Sequence, residues 1–199
     1  MKRTLCIGFI LVLTSLTAFG QIGVSTGITG GLNFATLGGS DASIEATTTQ
    51  FAAGVFAEIS FPLLPITIQP EVLYSVKGTY VSIPAGLTWT DKFSYIDIPI
   101  LIKYYLPIPV VKPFIFIGPS VGFLVSAKGT PNIGNELDIK DQVTSTDFGA
   151  VVGVGVKIPL VVADLSLDAR YDYGLTSTDK INSANIYNRV VSVYLGIAF

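Results

Sequence analysis

Three aspartates with an arginine among them form the most regular set of titratable residues in the sequence. Asp164, Asp168 and Asp172 recur at every fourth position, and Arg170 lies between the last two. In a β-strand these side chains would share one face but stand about 13 Å apart per step. Two carboxylates at that distance cannot act as a catalytic pair that shares a proton. The spacing therefore favours ion pairing.

The sequence contains few residues that could carry out other kinds of enzymatic catalysis. There is no His, and the single Cys is Cys6, near the N-terminus. These counts exclude His-based catalytic triads and His/Cys metal sites. The glycines of GAVVGVGV are not followed by a Lys-Ser/Thr pair or a helix, so a phosphate-binding loop is not expected. We predict no catalytic residue, no cofactor and no metal, and hence no enzyme.

The N-terminal segment has the features of a secretory signal peptide. Two basic residues precede an apolar stretch that is shorter than the roughly 20 residues of a membrane-spanning helix. The stretch ends in AFG at 18–20, with small residues where a signal peptidase reads. The sequence predicts a signal peptide over 1–20 and one domain over 21–199, with an uncleaved anchor helix as the alternative. Cleavage would remove two positive charges and change the formal net charge from −2 to −4. The sequence contains no basic patch of the kind that binds nucleic acid.

After this segment, apolar and polar residues alternate in eight stretches. Alternation at every second residue is typical of a β-strand with two different faces. The predicted strands lie at 24–34, 50–61, 66–77, 94–106, 114–127, 147–158, 161–173 and 191–199. Long polar connections at 36–49, 78–92, 128–146 and 176–187 alternate with short ones containing Pro at 62–65, 107–113 and 158–160. This order predicts an all-β, antiparallel up-and-down barrel of eight strands, with no open edge.

The composition of the polar face indicates which face lies inside. It is rich in Gly and Ser, which a narrow eight-stranded lumen needs and a solvent-exposed face does not. Aromatic residues near predicted strand ends would form girdles at the membrane interfaces. They are Tyr80, Trp89, Phe93, Tyr95, Tyr104, Tyr105, Tyr171 and Tyr173. We therefore predict a transmembrane barrel with long extracellular loops and short periplasmic turns. A soluble, lipocalin-like ligand binder is the less favoured alternative.

Charged residues of both signs would share this lumen. They are Glu58, Glu71, Lys77, Asp97, Lys103, Asp147, Lys157, Asp164, Asp168, Arg170 and Asp172. Because buried charges are tolerated only when paired and hydrogen-bonded, the mixture predicts a lumen plugged by salt bridges. Three further residues, Pro70, Pro99 and Pro119, fall inside predicted strands, and we expect local bulges there.

The order of several motifs resembles the PorT-like outer-membrane β-barrel family common in Bacteroidetes. The motifs are GITGGLNFAT, GVFAEI, IQPEVLYSVKG, YIDIPILIKYYL, PFIFIGPSVGFLV, DFGAVVGVGVKI and LSLDARYDYGLT. The final stretch NRVVSVYLGIAF, with Tyr194 and Phe199, resembles the signal that outer-membrane barrels present to their assembly machinery. The resemblance implies an eight-stranded barrel in the outer membrane of a Gram-negative bacterium. It supplies no catalytic motif.

Function is expected to reside outside the barrel wall. We expect a monomeric structural or accessory protein of the outer membrane that acts through its extracellular loops. Its expected contacts are outer-membrane lipids, lipopolysaccharide and the barrel-assembly machinery. Some PorT-like relatives are associated with secretion and gliding, so a secretion-accessory role with secretion-system or surface partners is one alternative. A small porin-like channel is another.

Overall fold

The alternating stretches form strands in a computed structural model of the chain. The structure describes residues 22–38, 46–61, 64–83, 87–108, 110–132, 135–177 and 187–199. The predicted signal peptide lies outside the described residues. The strands are β1 (Gly23–Gly38), β2 (Ala46–Ser60), β3 (Ile66–Ile83), β4 (Leu87–Tyr105), β5 (Lys112–Pro131), β6 (Leu137–Asp138), β7 (Thr146–Pro159), β8 (Asp164–Ser177) and β9 (Tyr187–Ala198). A single 3-10 turn, Lys140–Gln142, follows the two-residue strand β6.

The eight long strands close into one antiparallel barrel. The sheet runs β4-β3-β2-β1-β9-β8-β7-β5, and β4 pairs with β5 to complete the ring. The first and last strands pair from Gly27 with Ala198 to Gly38 with Tyr187. Closure leaves no edge among the long strands for another chain to extend. The predicted eight-stranded up-and-down barrel is confirmed. We call the end with the short β2–β3, β4–β5 and β7–β8 connections the turn end, and the opposite end the loop end.

The barrel has its apolar face outside and its charges inside. On β4, Ile102 is 48% exposed, whereas its neighbour Lys103 is 1% exposed and points into the lumen. The same alternation places Ile28, Val55 and Val193 on the outer surface of other strands. An apolar outer band is what a lipid-facing barrel requires, and it is incompatible with the soluble alternative. Within the described ranges, no helix is long and apolar enough to cross a bilayer.

The strands extend further at the loop end than the sequence predicts. β3 and β4 remain paired up to Ile83 and Leu87, so most of the predicted connection at 78–92 is a hairpin. β5 likewise continues to Pro131, which pairs with Trp89. Apolar-polar alternation is weak in these segments because they lie beyond the apolar band. Their Thr and Val residues still favour extended backbone, and the ladder continues from the barrel below.

The β7–β8 turn lies slightly later than predicted. β7 continues through Pro159 and β8 starts at Asp164. A hydrogen bond from the Leu160 amide to the Ala163 carbonyl, 2.9 Å long, closes the turn. Val161 was predicted as the first strand residue, but it is fully exposed within this turn. Alternation alone could not place the boundary because Leu160, Val161 and Val162 are all apolar.

The prolines interrupt hydrogen bonding without shifting register. Pro70 pairs with Ile100, and the next pair along these strands is Leu73 with Asp97, so two residues are skipped on each side. The β4–β5 ladder also skips two residues on each strand after its Pro99 pair. The missing proline N–H removes ladder bonds but inserts no extra residue. The expected bulges at the prolines are therefore wrong, and the register shifts occur elsewhere: Thr47/Ala52, Ser94/Tyr95 and Tyr173/Ser177.

Interior glycines make room for aromatic rings. A Cβ at Gly153 would overlap the ring of Phe116, and one at Gly155 would overlap the ring of Phe114. Phe114 and Phe116 are apolar residues on the inner face of β5, and both are buried. Small residues on β7 thus allow the opposing rings of β5 to fill the narrow lumen.

Candidate functional site

The interior charges nearest the turn end are arranged around Glu58. Its carboxylate accepts a hydrogen bond from the Lys157 ammonium and one from the Tyr105 hydroxyl, the latter 3.3 Å long. Lys157 also pairs with Asp164 at 3.3 Å, and Lys103 approaches Glu58 at 3.9 Å. Asp164 is the more exposed member of the group, since it lies at the open end. We call these five residues the turn-end cluster.

A second group lies deeper and is organised by Arg170. Its guanidinium contacts Glu71 at 2.9 Å and Asp168 at 2.8 Å. The Gln69 amide donates to the other oxygen of Glu71 at 2.6 Å. The guanidinium carbon lies 4.0 Å from the centre of the Tyr194 ring, a cation–π distance. These five residues form the central cluster, in which the buried guanidinium is fully paired.

The third group lies toward the loop end. The Lys77 ammonium pairs with Asp97 at 3.3 Å and with Asp147 at 3.7 Å. It also lies 4.8 Å from the centre of the Tyr95 ring. The Asn188 amide donates to Asp147 at 2.7 Å. These residues, together with Asp172, form the loop-end cluster.

The structure brings together most of the residues predicted for the lumen charge network. Glu58, Lys103, Lys157 and Asp164 fall in the turn-end cluster, Glu71, Asp168 and Arg170 in the central cluster, and Lys77, Asp97 and Asp147 in the loop-end cluster. Asp172 differs, because its carboxylate makes no hydrogen bond or ion pair within the described part of the chain. It lines the same interior cavity as Lys77 and Asp97.

Asn33 is an interior residue that the charge pattern could not identify. Its amide nitrogen donates to the Ser75 hydroxyl and to the Val76 carbonyl, both at 3.0 Å. Its amide oxygen accepts from Ser192 at 2.9 Å and from Tyr194 at 3.2 Å. Asn33 thus connects strands β1, β3 and β9 across the lumen. The only sequence feature that indicated an interior position for Asn33 is its place on the polar face of the first predicted strand.

Several aromatic residues predicted as membrane girdles lie inside the barrel. Phe93 and Tyr95 are buried, and Tyr105 points inward to Glu58. Tyr104, Tyr171 and Tyr173 are exposed on the outer surface, as a girdle requires. The girdle prediction considered only how close each aromatic residue lies to a strand end. Whether the side chain meets the membrane or the lumen depends on the face of the strand that carries it. The β4 residues with odd numbers face inward, which accounts for the three corrections.

The β5–β7 connection folds back over the loop end of the lumen. Val143 is buried against Phe93, Tyr95, Leu124 and Ala127. The Ser145 carbonyl accepts from the Leu124 amide at 2.8 Å, and the Ile139 amide donates to the Ala127 carbonyl at 3.1 Å. This connection therefore forms an apolar cover over the loop-end cluster. The sequence predicted a polar loop at 128–146 and gave no sign that Val143 would be inserted.

Tyr194 and Phe199, predicted as an assembly signal, occupy opposite sides of the wall. Tyr194 is buried in the lumen, and Phe199 is 71% exposed on the outer surface. The backbone of Phe199 exchanges hydrogen bonds of 2.8 and 3.2 Å with Thr26, which extends the β1–β9 seam by one residue. Their role in assembly stays a prediction.

The interior leaves little free space around its charges. The cavity among the central and loop-end clusters has a volume of about 20 Å³, room for about one water molecule. A larger pocket of about 450 Å³ opens at the turn end beside Glu58, Lys157 and Asp164. Among the described residues, no group of three or more metal-ligating side chains is placed to hold a metal ion.

A closed barrel with a lipid-facing outer band and an ion-paired interior is the architecture of an outer-membrane β-barrel protein. The chain belongs to the family of the outer membrane protein beta-barrel domain, whose model matches residues 17–180. A search of curated proteins finds no match.

Two solved structures show the same fold. Neisserial surface protein A is 16% identical, with a TM-score of 0.52 over 89% of this chain and 99% of that one. A major outer membrane protein from Thermus thermophilus is also 16% identical, with a TM-score of 0.53 over 89% of this chain and 98% of that one. At this identity, the likeness concerns the fold alone.

Proposed function

We propose that this protein is a non-conducting, non-enzymatic barrel of the outer membrane that presents its extracellular loops on a rigid scaffold. The observation that carries the proposal is the filled lumen. The central cluster crosses it with paired charges, and the cavity beside that cluster holds about 20 Å³. A filled lumen favours a structural or accessory role over transport, because ions need a continuous aqueous path.

Two further layers support a closed lumen. At the turn end, Lys103 lies over the Phe114 ring at 4.4 Å and approaches Glu58, so an aromatic residue fills the space between charges. At the loop end, Val143 and its apolar neighbours cover the loop-end cluster. An ion crossing the barrel would have to displace paired charges at two levels and an apolar layer at a third.

Planar-bilayer recording tests the closed lumen against the porin-like alternative. The purified, refolded protein is added to a bilayer at increasing concentration, and insertion is verified by recovering the folded protein from the membrane. We expect no discrete current steps. Reproducible steps that scale with the amount of inserted protein would overturn the proposal in favour of a channel.

Loop replacement tests the role of the extracellular connections. Short Gly-containing turns replace 39–45 or 178–186, and the control replaces the exposed turn-end residues Val161 and Val162 by Ser. We expect the loop variants to fold and insert but to lose cross-links to surface partners, while the control keeps them. Unchanged cross-linking in both loop variants would contradict a function in these loops.

The second candidate function is a secretion-accessory role, of the kind associated with PorT-like proteins. The ordered motifs GVFAEI, IQPEVLYSVKG and YIDIPILIKYYL support it. We expect a monomer that contacts outer-membrane lipids and lipopolysaccharide, engages the assembly machinery during biogenesis and binds no nucleic acid. In-cell cross-linking to a secretion component, abolished by the loop replacements above, is the expected result. Cross-linking that survives both replacements would count against this role.

A further inference from the structure

The charged residues of the eight long strands are divided by sign between the two faces of the barrel wall. Within the described ranges, every carboxylate on these strands lies on the lumen side: Glu58, Glu71, Asp91, Asp97, Asp147, Asp164, Asp168 and Asp172. The charged side chains on the outer faces of these strands are all basic, and they are Lys92, Lys128 and Arg189. We call these three residues the cationic rim.

The cationic rim lies at the loop end, just above the apolar band. On β5, Lys128 is three residues beyond Val125, which is 47% exposed, and on β9, Arg189 is two residues beyond Val191, which is 50% exposed. With a rise of about 3.3 Å per residue and a strand tilt of about 40°, these positions stand about 5–8 Å above the band. Lipid headgroups lie at this height in a bilayer.

Lys92 is an exposed cation without a counter-charge. It lies directly across from Lys128 on β5, and its partner on β3 is Gly78, which has no side chain. Lys128 has carboxylates beside it on the β5–β7 connection, since it pairs with Glu136 and lies across from Asp138. Lys92 makes no ion pair within the described part of the chain. Because like charges opposite each other destabilise a sheet, an anion bound beside Lys92 would relieve the repulsion.

Arg189 is oriented so that part of its guanidinium is free. The guanidinium carbon lies 3.5 Å from the centre of the ring of Tyr173, one of the exposed outer tyrosines. Its Nη1 group donates to the carbonyls of Gly174 at 2.7 Å and Asn188 at 3.0 Å. Arginine has five N–H donors, so the Nε and Nη2 groups are left for an acceptor outside the described residues. Two parallel N–H groups of this kind match the oxygens of a phosphate.

We propose that the cationic rim binds phosphate groups of the glycolipids of the outer leaflet, as in lipopolysaccharide. The inference rests on the proposed function, which places the loop end at the cell surface, and it adds the residues and the lipid group that they bind. Lys92 supplies a point charge and Arg189 a planar pair of donors, both suited to phosphate. The acyl chains of the same lipid lie against the exposed apolar band below, so one molecule contacts both surfaces.

The test is a titration of the refolded protein with purified lipid A in neutral detergent micelles. Folding is followed by gel mobility, and dephosphorylated lipid A and inorganic phosphate serve as the comparison ligands. We expect lipid A to raise the thermal midpoint by about 5 °C in a saturable manner, since a ligand that binds the folded state stabilises it. The comparison ligands should have much smaller effects, and added salt should weaken the effect of lipid A.

Substitutions then locate the site. Lys92→Ala and Arg189→Gln should each raise the half-saturating concentration of lipid A about fivefold, because one basic residue near an anionic surface contributes about that factor. The matched control is Lys112→Ala, which removes one exposed positive charge at the turn end, where Lys112 lines the open pocket. It should leave the half-saturating concentration unchanged. Gel mobility without lipid verifies that each variant is folded.

Four outcomes would overturn the proposal. An equal effect of dephosphorylated lipid A means that the apolar band alone holds the lipid, and an equal effect of inorganic phosphate means that the rim binds free anions. Unchanged half-saturation in both rim variants places the phosphates elsewhere, and an equal loss in Lys112→Ala makes the attraction non-specific. None of these results reopens the lumen, and current steps in a planar bilayer would overturn the proposed function without changing the lipid titration.

Discussion

At the scale of single residues, the turn-end and central clusters hold their buried charges in ion pairs and hydrogen bonds. Glu58 accepts hydrogen bonds from Lys157, Tyr105 and Ser25, so both carboxylate oxygens are occupied. Arg170 is likewise held by two carboxylates. A buried ion pair adds little to the stability of the folded state when compared with well-packed apolar residues in its place. The loss of one partner, however, leaves a buried charge uncompensated and is strongly destabilising.

Replacing Arg170 by Ala should therefore be strongly destabilising. The substitution leaves Glu71 and Asp168 facing each other without their shared partner, and we expect a loss of about 3–5 kcal/mol in the free energy of unfolding. Urea titration in micelles, followed by gel mobility, measures the loss.

The control for Arg170→Ala is Lys128→Ala. Lys128 pairs with Glu136 at 2.6 Å, but the two side chains are 51% and 47% exposed. Because solvent screens exposed pairs, we expect an unfolding midpoint close to that of the wild type. Equal losses in the two variants would show that the central cluster does not depend on buried pairing.

The sequence predicted which residues face the lumen but not how they pair. Alternation placed Glu58, Glu71 and Arg170 on inner faces. It could not identify their partners, since Glu58 and Lys157 are 99 positions apart, as are Glu71 and Arg170. These residues come into contact only when the tilted strands pair in their correct register around the barrel.

At the scale of elements, the strength of the apolar-polar contrast decided how well each strand was predicted. The segment YIDIPILIKYYL crosses the apolar band, so its two faces were assigned correctly. The hairpin formed by β3 and β4 beyond Lys77 carries polar residues on both faces, and it was predicted as a loop. The inserted Val143 could not be predicted, because one apolar residue in a polar connection has no periodicity.

Gly153→Ala should weaken the packing between β5 and β7. The added methyl would overlap the Phe116 ring and lie 2.5 Å from the Ala169 carbonyl oxygen. Overpacking of this kind costs about 1–3 kcal/mol. Gly30→Ala is the matched control, since a Cβ there would meet its nearest atom at an ordinary 3.5 Å. Urea unfolding should separate the two variants, and equal stability would show that both the Phe116 ring and the β8 backbone at Ala169 move aside freely.

Deleting Phe199 should impair assembly of the barrel in cells. The residue extends the β1–β9 seam through its bonds to Thr26, and it ends the segment that resembles an assembly signal. We expect a lower folded fraction in the outer membrane, while refolding of the purified variant in detergent is less affected. A normal folded fraction in cells would argue against the assembly role.

At the scale of the whole molecule, the barrel is the reverse of a soluble β-barrel, because its apolar surface lies outside and its charges lie inside. Closure between β1 and β9 joins the two ends of the meander, and the side chains of all eight long strands fill the lumen. The family membership and the two similar solved structures agree with this architecture. A barrel of this kind should withstand detergent in its folded state and reside in the outer membrane.

The gel mobility of the protein in the outer-membrane fraction tests this central claim most directly. Samples are extracted with detergent and compared with and without boiling. We predict that the unboiled protein migrates as a compact, folded species and shifts to the mobility of the unfolded chain on boiling. Recovery of the protein from the soluble periplasm, with one mobility in both samples, would contradict the claim.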